Sequence, residues 1–349
     1  MSEFHTLQIA AIEKETPNSV SIAFEIPDSL KLTFAHKAGQ YVTIKHTVGD
    51  QELRRAYSIH STPESELLKI GVKKVEDGTF SVYANTKLKA GDSLEVMPPD
   101  GKFCITPDAS HTNYYAAFAA GSGITPVISI VETVLKEEPN SKFLLVYGNQ
   151  NPLEAMFLSQ LRALAKEYPN RLSLELMYSR SREEDARFGR IERSTVNYYL
   201  KNKFEFTTFD AFFLCGPEPM IDEVSSTLKE QGVNEKIIHF ELFKTSEEGL
   251  LKEPHEGDTT ITITVDDETE TFSMPKSSSV LEAALDKGLD APYSCQGGIC
   301  STCIARITEG KAEMRKNQIL TDAEIAEGLI LTCQAHPTSA TLTIDYDDV

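Results

Sequence analysis

The chain has 349 residues, a hydrophobic fraction of 40% and a net charge of −19. That length accommodates two or three domains, and the acidic balance argues against a nucleic-acid ligand, whose phosphates an acidic face repels. The longest apolar stretch, Tyr114 to Val131, is interrupted by Gly121, Gly123 and Pro126, so no membrane-spanning helix is expected.

The start, Met1-Ser2-Glu3-Phe4-His5, has neither a basic segment nor the apolar run of a secretory signal. A reducing cytoplasm is therefore expected. Residues 1–107 read as short strands at Thr6–Ile12, Ser19–Ile26, Gln40–His46, Arg55–His60 and Leu67–Val72. Turn signals at Gly39, Gly49-Asp50, Asp77-Gly78 and Gly91-Asp92 separate them, a pattern that predicts a small antiparallel barrel.

Arg55-Ala56-Tyr57-Ser58 ends one of these strands. Strand alternation puts Arg55 and Tyr57 on one face and Ser58 on the other. An arginine can fork a phosphate, a tyrosine can cover a flat ring, and a hydroxyl can bond a ring nitrogen. Alone the tetrapeptide is weak, because an Arg-Tyr pair on a surface strand is commonplace. Gly78-Thr79-Phe80-Ser81 follows and opens a helical stretch whose first amides suit a phosphate. With Pro98-Pro99-Asp100-Gly101-Lys102-Phe103, these segments resemble the flavin half of the ferredoxin–NADP⁺ reductase superfamily. The resemblance implies a six-stranded Greek-key barrel. It places Arg55 and Ser81 on the flavin diphosphate, with Gly78 and Phe80 at the same helix start. Tyr57 and Ser58 would contact the ring, Ser58 near N5, and Val72 and Lys73 would line it. FAD is favoured over FMN by the Gly78–Ser81 segment.

From Asn113 onward, strands alternate with helices, as in a parallel α/β sheet. Strands are expected at Tyr114–Ala120, Phe143–Tyr147, Leu172–Tyr178, Ala211–Cys215 and Lys236–Phe243, with helices to Glu138, over Pro152–Glu167 and over Pro219–Glu230. Gly121-Ser122-Gly123-Ile124-Thr125-Pro126 joins a strand to a helix, with Thr125 expected as N-cap and Pro126 as first helical residue. Such a turn can cradle a pyrophosphate, although a tight strand–helix turn needs no ligand at all. Cys215-Gly216-Pro217 ends a later buried strand, at the edge where α/β sheets bind ligands. The two segments in this order resemble the NAD(P)H half of the same superfamily, in which Thr125 and Cys215 would flank the nicotinamide. The alternative for Cys215 is a plain core cysteine; Cys104 has no such context and reads as structural. Ser179-Arg180 and Arg190 suit a 2′-phosphate, so NADPH is expected ahead of NADH.

Cys295-x4-Cys300-x2-Cys303, with Cys333 after 29 intervening residues, has the plant-type [2Fe–2S] spacing. A zinc site would pair two close knuckles, and Cys333 lacks a second partner of that kind. His336, three residues on, reads as a surface or loop histidine. The segment Gly257–Val349 resembles a plant-type ferredoxin and carries 16 acidic against 6 basic side chains. That excess serves solubility or steers a basic partner.

The expected fold class is therefore multidomain α/β and β. It comprises an antiparallel Greek-key flavin-binding barrel (1–107), a parallel α/β NAD(P)H-binding domain (112–245), a linker (246–256) and an α+β, β-grasp ferredoxin domain (257–349). The domain order resembles oxygenase reductases with a C-terminal ferredoxin, including those of the phenylacetyl-CoA epoxidase type. It implies electron flow from NADPH through FAD and the cluster to an oxygenase or another one-electron acceptor. Ser58, Thr125 and Cys215 are the expected catalytic residues. Gly121 to Pro126, Gly216 and Pro217 would bind the nucleotide, and Cys295, Cys300, Cys303 and Cys333 the iron. The competing functions are a stand-alone flavin reductase or diaphorase and a non-enzymatic iron–sulfur sensor.

Overall fold

A computed structural model of the chain describes residues 4–48, 51–76, 78–243 and 255–349. The expected turn at Gly49-Asp50 lies outside the described residues, as do Asp77 of the next expected turn and the expected linker apart from His255 and Glu256. Two compact units are present. The larger comprises Phe4–Leu53 and Tyr57–Phe243; the other is built on the C-terminal residues.

The larger unit begins with a six-stranded sheet of β1 (His5–Thr16), β2 (Ser19–Glu25), β3 (Tyr41–Val48), β4 (Gln51–Ser58), β5 (Leu67–Lys73) and β6 (Ser93–Val96). Their order, β4-β3-β6-β1-β2-β5, departs from chain order as a Greek key requires. An antiparallel bridge between Ile59 and Ile70 ties the two edges together and closes the barrel. Ile9, Ile22, Phe24, Val42, Ile44, Ile70 and Val72 fill its interior. Helix α1 (Thr79–Thr86) packs on it through Phe80 and Ala84.

His60 follows the closing bridge and is buried, with Nε2 2.8 Å from Ser21 Oγ and its ring 4.5 Å from that of Phe157. Burial, reinforced by Lys69, holds its pKa down to about 3. The unfolded chain, with a histidine pKa of ~6.5, takes up that proton first as pH falls. Stability present above ~6.5 is thus lost as pH drops towards the folded value. His60→Gln keeps a partner for Ser21 and should flatten the fall in urea midpoint between about pH 7 and 5. A variant with the wild-type pH slope would place the sensitive group elsewhere.

The second sheet holds β7 (Tyr114–Ala120), β8 (Lys142–Asn149), β9 (Leu172–Tyr178), β10 (Ala186–Phe188), β11 (Ala211–Cys215) and β12 (Ile238–Glu241). All pairings are parallel, in the order β10-β9-β8-β7-β11-β12. The chain runs outward from β7 through β8 and β9, then returns to place β11 on the other side of β7. The carboxyl ends of β7 and β11 therefore flank the topological switch point, where such sheets open a ligand crevice. Helices α2 (Ile124–Glu137), α3 (Leu158–Glu167), α4 (Arg193–Tyr198) and α5 (Glu218–Glu230) accompany this sheet.

Two local expectations are corrected. Thr125 is not an N-cap: α2 starts at Ile124 behind Gly123, and the Thr125 hydroxyl donates to Ser122 O at 2.9 Å. The helix expected over Pro152–Glu167 breaks into a short 3₁₀ turn, Pro152–Glu154, and α3. Between them Phe157 takes φ 57°, held there by a buried ring that packs against His60.

The C-terminal unit is a mixed sheet of β13 (Asp258–Val265), β14 (Glu268–Pro275), β15 (Ile304–Met314), β16 (Leu329–Leu331) and β17 (Ala335–Asp345), ordered β14-β13-β17-β15-β16. Parallel pairing of β13 with β17 beside antiparallel hairpins gives the β-grasp arrangement. Helix α6 (Val280–Asp286) is capped by Ser279, whose hydroxyl accepts from Glu282 N at 3.1 Å. Its buried face shares a core with Ile261, Ile263, Leu342 and Ile344. A short α7 (Asp322–Ala326) opens with a Thr321–Glu324 capping box. His336 is neither surface nor loop. It lies in β17 opposite Glu313 and is buried, because β17 is the central strand.

Candidate functional site

The switch point is built backbone on backbone. A Cβ on Gly123 would fall 2.1 Å from Cys215 O and 2.8 Å from Gly216 N, so only glycine lets the two turns meet. Gly121 has φ +56°, which curls the chain between β7 and α2. Thr125 is buried, and a Cβ on Gly71 of β5 would fall 2.6 Å from its Cγ2. The nucleotide-side turn thus abuts the barrel strand that carries Val72.

Cys215 is fully buried, and burial pushes its thiol well up, with Glu241 adding to the shift. It stays a neutral thiol rather than a nucleophile. Parallel register sets Glu241 beside Cys215, and a Glu241 carboxylate oxygen accepts the Ser58 hydroxyl at 2.9 Å. Ser58 and Cys215 are therefore linked through Glu241, while Gly123 joins Cys215 to the turn that bears Thr125. Sequence reasoning missed Glu241. Its only signal is position, at the end of the last strand beside the strand of Cys215.

On β4, Arg55 is exposed, Tyr57 half-buried and Ser58 buried, as alternation requires. Arg55 Nη1 donates to Arg54 O at 2.7 Å. The Tyr57 ring lies 5.6 Å from Phe80, and His46 stacks on Tyr83 at 4.7 Å. Gly78 stands at the N-cap of α1, and among the described residues no side chain caps its first amides, which suit an anion. A Cβ there would lie 2.4 Å from Ser81 Oγ. Ser81 itself is buried and accepts from Val75 N at 3.1 Å, so it also holds the turn. Val72 points into the barrel core, and Lys73 pairs with Glu154 at 3.4 Å. An uncapped helix start and a half-buried aromatic fit a flavin with a diphosphate.

At the far side of the crevice, β9 is followed by Ser179 and Arg180, whose amides donate to Asn149 O and Gln150 O at 2.9 and 2.8 Å. The guanidinium groups of Arg180 and Arg190 are exposed and make no ion pair among the described residues. Arg182 and Arg187 instead lie over the rings of Phe188 and Tyr198.

All four C-terminal cysteines are free thiols, and they form two pairs: Cys295 with Cys300, and Cys303 with Cys333. The hydrogen bond from Cys300 draws Cys295 down to about 7, aided by the amides of Gly297 and Ile299. Gly297 N lies 3.3 Å from Cys295 Sγ. Gln296 and Gly298 have φ of 53° and 70°, which turns the loop around the sulfurs. Among the described residues, no three His, Cys, Asp or Glu side chains form a group fit for a single ion. Two pairs suit two irons, one pair each, better than one zinc. Two buried oxygens of this domain, Ser294 Oγ and Tyr346 Oη, complete no hydrogen bond among the described residues.

Three family models match in chain order: an oxidoreductase FAD-binding domain over residues 6–105, an oxidoreductase NAD-binding domain over 118–226, and a 2Fe-2S iron-sulfur cluster binding domain over 263–338. The chain is 36% identical to a subunit of 1,2-phenylacetyl-CoA epoxidase from Escherichia coli (strain K12), covering 99% of both proteins. The chain belongs to the ferredoxin–NADP⁺ reductase superfamily, among the members with a C-terminal [2Fe–2S] domain. Another such relative, at 33% identity, is the ferredoxin reductase component of 3-ketosteroid-9-alpha-monooxygenase from Rhodococcus rhodochrous, with 97% of this chain and 96% of that one covered. Phthalate dioxygenase reductase shares the fold, with a TM-score of 0.60 at 22% identity over 98% of each chain. As a superfamily member this chain is an oxidoreductase that passes electrons from NAD(P)H through FAD to a [2Fe–2S] cluster. None of its described helices is long and apolar enough to cross a membrane.

Proposed function

We propose that this reductase feeds an oxygenase of the phenylacetyl-CoA epoxidase type, in the cytoplasm, with NADPH as donor. End-to-end similarity to the epoxidase subunit carries the reading, because it spans all three domains without a gap in their order. The proposed division is 1–107 for flavin, 112–245 for nucleotide, 246–256 as linker and 257–349 for the cluster.

Bound FAD supplies hydride acceptance and single-electron release, and the cluster supplies one-electron carriage. The chain's own residues position these events. Arg55 and the first amides of α1, at Gly78 to Ser81, hold the diphosphate, and Tyr57 with Phe80 walls the ring. Ser58, its hydroxyl hydrogen held by Glu241, would present its oxygen to the ring near the hydride-accepting nitrogen. Val72 and Lys73 border the ring through the end of β5. Gly121, Ser122, Gly123, Ile124 and Pro126, with Gly216 and Pro217, receive the nucleotide, and Thr125 and Cys215 flank the nicotinamide. Burial of Thr125 and Cys215 keeps water from the transfer path.

Ser179, Arg180 and Arg190 take the 2′-phosphate by charge-assisted bonds worth about 1.5–3 kcal/mol each. Arg180→Ala should therefore raise the NADPH KM roughly 10-fold and leave NADH turnover near wild type. Equal losses with both nucleotides, or a wild-type preference for NADH, would refute this role. The pathway assignment is tested by mixing the holoprotein with the oxygenase and phenylacetyl-CoA. Oxygenated product in proportion to NADPH consumed is expected. NADPH consumption that the oxygenase does not change, with fast quinone reduction, would instead mark a stand-alone diaphorase.

A further inference from the structure

Tyr346 closes the last strand of the ferredoxin domain, and its amide donates to Thr264 O at 3.0 Å, which fixes its place. The side chain turns inward and is 6% exposed. It packs in the same core as Cys303 and Cys333, and its phenol lies within electrostatic reach of both sulfurs. Among the described residues its hydroxyl completes no hydrogen bond, although the Thr332 hydroxyl lies close enough to act on it. A buried phenol without a partner is costly and is rarely left so. The neighbouring Thr332 hydroxyl donates its own hydrogen to Cys303 O at 3.0 Å, and the Thr332 amide bonds the same carbonyl. The two residues thus have separate roles. Thr332 holds the backbone of Cys303, and Tyr346 keeps its own hydroxyl hydrogen to give within the core it shares with the two sulfurs.

The geometry points to Tyr346 as a positioning residue for the cluster: its hydroxyl donates a hydrogen bond to a ligand sulfur of the buried pair, Cys303 or Cys333, once iron is bound. A donor to cluster sulfur stabilises the more negative, reduced form and so raises the reduction potential. This assignment rests on the [2Fe–2S] identity of the site, and the two fail differently. Absence of iron would remove the cluster, whereas a wrong role for Tyr346 would leave the cluster present and its potential unmoved.

The test is an EPR-monitored redox titration of the full-length holoprotein, wild type against Tyr346→Phe. The variant should keep its iron and its visible spectrum, while the cluster becomes about tenfold harder to reduce, a shift of ~59 mV for a one-electron couple. An unchanged potential in an iron-loaded variant would assign the phenol to Thr332 and overturn the proposal. Should the variant fail to take up iron, a second arm decides. Tyr293 and Tyr346 are the two tyrosines of the ferredoxin segment. In a Tyr293→Phe background, global replacement of tyrosine by the more acidic 3-fluorotyrosine should strengthen the bond and raise the potential. No rise would overturn the proposal as surely as an unmoved Tyr346→Phe.

Discussion

Cys300→Ala should abolish one-electron delivery while sparing hydride transfer. Cys300 is buried and pairs with Cys295, so its loss leaves one iron with a single protein thiolate. Loss of an outer partner at a metal site already costs about 10–100-fold, and loss of a ligand should cost more. Reduction of cytochrome c, or of an oxygenase, should therefore fall by more than about 100-fold. Apart from Arg55, the flavin and nucleotide residues sit in a unit with its own cores, so NADPH–ferricyanide activity should persist. The check is a paired assay with iron quantified in the same sample. Parallel loss of both activities would contradict separable flavin and cluster modules.

Ser58→Ala should produce the opposite pattern. Its hydroxyl is oriented by Glu241 at 2.9 Å and is buried, so no water can replace it cheaply. That hydroxyl gives its hydrogen to Glu241, so it would meet the flavin ring through its oxygen, and removing one preorganised polar group from a transfer site can cost ~10² in rate. Stopped-flow reduction of the flavin by NADPH should slow by ~100-fold, with NADH slowed alike and iron content unchanged. Glu241→Gln keeps an oxygen acceptor for Ser58 and should slow the step less. Wild-type flavin reduction in Ser58→Ala would remove Ser58 from the reacting centre.

The sequence and the structure agree most closely where local chemistry is decisive. The cysteine spacing and the two glycine turns are contiguous motifs, and they reappear as the paired thiols and the switch-point crevice. Strands Tyr114–Ala120 and Ala211–Cys215 were legible to the residue, because buried parallel strands are continuous apolar runs, and Leu172–Tyr178 was legible from its alternation of apolar and polar residues. Short elements were not. Ser93–Val96 and Ala186–Phe188 hold too few residues for a period to emerge, and their identity as strands comes from their neighbours. Phe157 breaks a helix that its sequence favours, since a buried ring outweighs local propensity. Thr125 looked like an N-cap, but the 3₁₀ turn Gly121–Gly123 starts the helix earlier. Glu241 and Tyr346 matter through contacts that span the fold, with Ser58 183 positions before Glu241, and no window of sequence carries that information.

Electrons are expected to pass in order from NADPH to FAD to the cluster. Anaerobic addition of NADPH to the holoprotein, followed by low-temperature EPR, distinguishes this order from any other. A rhombic signal from a single reduced [2Fe–2S] cluster should develop in the FAD-loaded protein and be absent after flavin removal, returning when FAD is restored. Reduction of the cluster by NADPH without FAD, or metal analysis that finds zinc in place of iron, would contradict that order.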